Sequence, residues 1–192
     1  MIRRVCLFIL LATSAAYAET AAEDPALLAG RKAAGTLMGA LVPQLQAAMK
    51  GGGPEAAVSV CANVAQTMTE NLVVDHPAVK QVTRVTDRAR NPKNLAKGQD
   101  AKVIAEFLAS KSKADVVVRN EDVVTYYKPL YLQALCLQCH GPTEQIKPAV
   151  QKLIQQHYPN DRATGYAEGD FRGLIKVPLD PTKLETTNNQ PE

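Results

Sequence analysis

Tryptophan is absent from this 192-residue chain, and aromatic side chains make up only 5% of it. A core built from such material is short of large planar groups, so a bound prosthetic ring would be a large fraction of its apolar content. An excess of one charge is lacking too: 22 Lys and Arg stand against 19 Asp and Glu. That balance leaves no basic surface for a polyanion and argues against nucleic acid as a partner. Histidines number three and cysteines four, so any imidazole or thiol chemistry rests on few positions. Long apolar runs are missing beyond the stretch from Val5 to Ala12, which is too short to span a bilayer as a lone helix.

The scarce residues are concentrated. Cys136-Leu137-Gln138-Cys139-His140 has the C-x-x-C-H spacing of a c-type haem attachment site. Two intervening residues let both thiols add to vinyl groups at one porphyrin edge, and the adjacent histidine is carried beneath the ring to ligate iron. A bare C-x-x-C also serves thiol redox pairs and zinc knuckles, so the compartment must agree. Arg3 and Arg4 form a basic start, Val5 to Ala12 an apolar stretch, and Ala16-Tyr17-Ala18 an A-x-A cleavage site, the pattern of a secretory signal. Residues 1–18 are therefore expected to be a Sec-type signal peptide and the mature protein to start at Glu19 in the periplasm, with no stable membrane span left after cleavage. Cys6 has no lipobox around it, and the twin arginines lack the wider context of a Tat signal. One covalent haem c on Cys136 and Cys139, with His140 as an iron ligand, is the expected cofactor. Cys6 leaves with the signal, which makes Cys61 an odd thiol in an oxidising compartment.

Apolar residues recur at helical steps from Pro25 to Lys50, with Asp24-Pro25 as a start signal and Pro43 as an expected kink. Gly51-Gly52-Gly53-Pro54 ends that helix and opens a second, about Glu55 to Leu72, giving a helical pair. After His76-Pro77 the period changes: Val79 to Thr86 reads as a strand, Gly98 to Lys111 as a short amphipathic helix, and Asp115 to Val118 and Val123 to Tyr131 as strands. The turn between those two strands falls on Arg119-Asn120-Glu121-Asp122. A helix from about Gln145 to His157 and a strand from Leu174 to Leu179 complete the pattern. The fold class is α+β, an antiparallel sheet flanked by helices, with one domain over residues 19–180 and a flexible tail over 181–192.

Three segments carry a resemblance: Arg88-Ala89-Arg90-Asn91-Pro92-x-Asn94, Cys136 to Gly141, and Tyr158-Pro159-Asn160-Asp161-x-Ala163-Thr164-Gly165-Tyr166 with Gly169-Asp170 and Arg172-Gly173. In content and order they resemble a c-type haem family long catalogued only as a domain of unknown function. The resemblance implies a PAS-like antiparallel sheet with the N-terminal helical pair covering the haem. One member type of that family ligates iron with a histidine and a cysteine from an N-terminal helix, which implies Cys61 as the second ligand here.

Read from the residues alone, Cys61 lies on the apolar stripe of the second helix and is equally a small core residue. Met68, two turns along the same face, offers the Met/His ligation of electron carriers. Met38, Met49, His76 and His157 are weaker candidates, and an open or water-filled site remains an alternative. Arg88, Arg90 and Arg172 are candidate partners for haem propionates. Of Tyr126, Tyr127 and Tyr131, at least one is expected against the porphyrin, Tyr127 foremost. Asp161 and Asp170 read as turn and cap residues. Two functional classes lead: a redox or diatomic-gas sensor that signals to a separate periplasmic protein, and a plain periplasmic electron carrier. A peroxidase-like enzyme ranks lower, because no histidine is placed as a distal acid or base.

Overall fold

The computed structural model describes residues 23–120 and 123–184, so the expected signal peptide lies outside the described residues. Helix α1 (Pro25–Asn63) starts where the Asp24 carboxylate accepts from the Ala26 N–H at 3.0 Å and a proline fills the first turn. Its dihedrals leave the helical region at Gly52 (φ −147°) and Gly53 (φ 67°), not at Pro43. Only glycine takes the second of these angles without strain. The break divides α1 into two arms, and Pro54 opens the second. Helix α2 (Ala65–Glu70) follows after Val64, so the expected second helix comes in two pieces.

Four strands form one antiparallel sheet in the order β1-β4-β3-β2: β1 (Thr83–Val85), β2 (Val116–Asn120), β3 (Val123–Tyr131) and β4 (Phe171–Leu179). Strand β2 runs on through Arg119 and Asn120, which sequence patterning assigned to the turn. The strand expected from Val79 is shorter than its β-branched content suggests. Val79 bridges Leu179, but the register slips before Thr83 meets Lys176. Pro178 stands at that slip and has no N–H to continue the ladder. The result is the α+β sheet flanked by helices that the sequence predicts, consistent with a PAS-like arrangement.

Both faces of the sheet are covered. Along β3, alternation sends Tyr126 toward Ala26, Ala29, Ala33 and Leu37 of α1, and sends Tyr127 toward Val103, Ile104 and Phe107 of α3 (Gln99–Ser110). The buried small residues let α1 lie directly on the strands. A Cβ at Gly30 would stand 2.0 Å from the Tyr126 ring. The Tyr126 hydroxyl donates to Asp115 at 2.8 Å, and Arg31 donates to the same carboxylate at 2.8 Å. A 3-10 turn at Pro181–Lys183, capped by Asp180, then returns Leu184 to the α1 core. The chain thus stays docked through the first four residues of the segment expected to be frayed.

After β3, a 3-10 turn (Ala134–Cys136) leads into the single turn of α4 (Leu137–His140), and α5 (Pro148–His157) follows. Residues 158–170 then double back as a strap. Gly165 donates to the Gly141 carbonyl at 2.8 Å, Tyr166 to the His140 carbonyl at 3.0 Å, and Arg162 to the Ala89 carbonyl at 3.1 Å.

Two consequences can be measured. Gly30→Ala overpacks the α1–sheet contact and should lower unfolding free energy by roughly 1–3 kcal/mol, read from a urea melt. The Arg31 guanidinium beside Asp115 holds its carboxyl down to about 2, the Tyr126 hydroxyl assisting against the cost of burial. Stability from this group is complete above the ordinary 3.8 and is lost as pH falls from there through about 2. Asp115→Asn should therefore melt below wild type at neutral pH, and the two curves should converge in acid.

Candidate functional site

A cavity opens between both arms of α1 and the segment from Leu132 to His140. Leu45, Met49, Ala57, Val58, Leu132 and Leu135 make most of its wall apolar, and Cys61, Cys136, Cys139 and His140 face it together. The glycine break makes this possible, because residues on either side of it reach the same space. The two expected attachment thiols, the expected iron-binding histidine and the odd cysteine thus meet.

The imidazole of His140 is set for ligation. Its Nδ1 lies 2.6 Å from the Ala163 carbonyl oxygen, which can only accept. Nδ1 therefore carries the proton, and Nε2 keeps its lone pair. Burial drives the pKa of His140 well below the usual value, Arg90 and Arg172 push it further, and the Ala163 carbonyl acts in the opposite sense. The ring stays neutral, as a metal ligand must. Tyr166 stands edge-on to it at 6.3 Å and 81°, and the Arg88 guanidinium packs on the far partner, 3.9 Å from the Tyr166 ring centre.

Arg90 is the buried hub beneath the expected attachment turn, Cys136 to His140. Its guanidinium donates to Asp161 at 3.1 and 3.2 Å, to the Cys139 carbonyl at 2.6 Å and to the Ala163 carbonyl at 3.3 Å. Side-chain exposure is 9% for Arg90 and 8% for Asp161, so the pair is largely withdrawn from water. Asp161, expected as a turn residue, also accepts from the Ala163 N–H at 2.9 Å, and serves as counter-ion as well as cap.

Other expected ligand-contacting residues lie away from the cavity or are engaged on protein groups. Tyr127 faces α3 and donates to Asp100 at 2.7 Å, so strand parity carries it away from the cavity; Tyr126 points into the α1 core. Arg88 is spent on Tyr166 and on the carbonyls of Arg162 and Thr164. Arg90 reaches the wall with its donors engaged on protein groups. Among the expected alternatives to Cys61, only Met49 lines the cavity. Met38 packs in the α1–sheet core, the His76 ring accepts from the Ala78 N–H at 3.2 Å, and His157 leans on Tyr158.

Burial pushes the Cys61 thiol up, opposed by Arg90, Arg84 and Arg172, and pushes Cys139 up to about 11. Cys61, Arg90, His140 and Tyr158 also border a second, polar recess, lined besides by Arg84, Thr86, Asn91, Asn94 and Arg172. Arg84 escaped the sequence reading; its signal is a lone cation between Thr83 and Val85 in a β-branched strand. The chemistry of this lining fits a haem c: two thiols beside a neutral imidazole, an apolar wall for the ring, and cations where an anionic edge can end.

The sequence matches the family model Tll0287-like, described as Tll0287, over residues 10–179. Among solved structures, the chain is similar to the crystal structure of the cyanobacterial heme-protein Tll0287, with 29% identity and a TM-score of 0.47. That alignment covers 53% of this chain and 61% of the other. No curated protein matches the sequence.

Breaking the hub has a predictable cost. Asp161→Asn leaves Arg90 buried without its counter-charge, which should destabilise the protein by roughly 3–5 kcal/mol. A chemical melt of the variant checks it, and a loss below about 1 kcal/mol would show the pair to be effectively solvated.

Proposed function

The chain belongs to the Tll0287-like family, and from that premise we propose that it is a periplasmic mono-haem c protein, its iron held by His140 and Cys61, that senses redox state or a diatomic ligand. One observation carries this reading: Cys136, Cys139, His140 and Cys61 all line a single, mostly apolar cavity. The crystallised relative is titled a heme-protein.

A bound haem would supply a one-electron iron couple and a place for a small ligand. Cys136 and Cys139 would anchor it as thioethers, and the turn that carries them is held in place by the Arg90 bond to the Cys139 carbonyl. His140 would offer Nε2 to the iron and Cys61 its sulfur; a thiolate there would be a strong anionic donor favouring the ferric state. Burial raises the pKa of the Cys61 thiol, with Arg90, Arg84 and Arg172 opposing it, so metal binding itself would have to displace the proton. Cys61 belongs to the arm after the Gly52-Gly53 break, so the residue that would hold the iron sits on a segment separate from His140, and a separate periplasmic partner would read the position of that arm.

A second reading, a periplasmic electron carrier, is favoured by Met49 on the same wall. A thioether there gives Met/His ligation and a higher potential.

Optical and EPR spectra with potentiometry of Cys61→Ser and Met49→Leu holoproteins separate the two. The sensing account predicts that Cys61→Ser keeps its covalent haem, changes the ferric spectrum and raises the potential, while Met49→Leu leaves the ligand set as in wild type. The reverse pattern would establish the carrier.

A further inference from the structure

We propose that Arg84 and Arg172 form a carboxylate site that receives the haem propionates; this rests on the haem reading above. The polar recess is lined by Cys61, Arg84, Thr86, Arg90, Asn91, Asn94, His140, Tyr158 and Arg172, with no aspartate or glutamate among them. Its three guanidinium groups therefore face the space with little to neutralise them. Among the described residues, Asp161 is the single carboxylate ion-paired with any of them, and it belongs to Arg90.

Arg84 and Arg172 are held by neutral groups only. Arg84 donates through one terminal nitrogen to the Ala65 carbonyl at 3.3 Å and to the Gln66 amide oxygen at 3.5 Å, and its Nε is buried without a partner. Arg172 donates through one nitrogen to the Thr86 hydroxyl at 3.0 Å and to the Arg88 carbonyl at 3.2 Å. Buried cations without counter-ions are costly, and an unmatched N–H adds to the cost. Both costs vanish when an anion enters, and a guanidinium fork matches a carboxylate with two parallel bonds. A ligand matching these two adjoining linings has an apolar face for the wall that includes Leu45 and Leu135 and two carboxylates at one edge. The charge agrees: Asp161 cancels one of three arginines, and two propionates cancel the other two.

Arg84 and Arg172 also reach this recess from adjacent strands, β1 and β4. They are carried by the sheet, whereas the thiols and His140 come from the attachment turn. The ring is thus fixed at two edges by separate parts of the fold.

The test is resonance Raman of the haem-loaded full chain, following the propionate bending bands in wild type, Arg84→Gln, Arg172→Gln and Arg84→Lys, with exposed Lys93→Gln as control. Each glutamine variant should keep its thioether-bound haem and shift a propionate band. Arg84→Lys should restore part of the shift, and Lys93→Gln should match wild type. Bands unmoved in both glutamine variants, with haem attached, would overturn this inference and leave the haem reading standing. Wild type without covalent haem would remove both. If the glutamine variants take up no haem, a crystal structure of the wild-type holoprotein decides. Arg84 Nε within hydrogen-bond distance of a propionate oxygen upholds the proposal, and propionates directed to solvent overturn it.

Discussion

The buried ion pair between Arg90 and Asp161 joins parts of the chain that are otherwise remote. Arg90 comes from the turn after β1, Asp161 from the strap after α5, and the same guanidinium reaches the Cys139 carbonyl inside the attachment turn. A lone guanidinium at that depth would be a liability. Matched to Asp161 and two carbonyls, it uses its fork to hold three segments in one arrangement. The Ala163 carbonyl completes the device: it accepts from Arg90 and from His140 Nδ1, so the residue that anchors the strap also selects the imidazole tautomer.

Around that hub the molecule divides its labour. The sheet and the alanine-rich face of α1 make a conventional core that needs no ligand, closed by Tyr126, Leu37 and Leu184. The attachment turn, the strap and the two arms of α1 instead surround space. In a chain without tryptophan, that space stands where large side chains would otherwise pack, and an apolar ring is the natural occupant.

Local patterns made much of this legible. The helical period of α1, the alternation in β3 and β4 and the spacing of Cys136, Cys139 and His140 are near-neighbour signals, and each corresponds to an element of the fold. Residues separated by long stretches of chain were harder. Asp161 looked like a turn residue because nothing nearby in sequence marks its ion pair with Arg90, 71 positions away. Tyr127 was favoured over Tyr126 without knowing which face of β3 met which helix, and in the event neither meets the cavity. Pro43 carried the expectation of a kink, yet the glycines at 52 and 53 take the break, since their backbone bends at less cost. The three segments that carried the family resemblance turn out to be neighbours in space: they are the hub, the attachment turn and the strap.

The central claim is that this cavity holds covalently attached haem. Its most direct test is the intact mass of the full chain, expressed with a bacterial c-type maturation system and recovered from the periplasm, together with extraction in acidified acetone. The account predicts a mass one haem above the polypeptide that begins at Glu19, with the pigment staying on the protein. A polypeptide mass alone, or a pigment that leaves into the solvent, would contradict it.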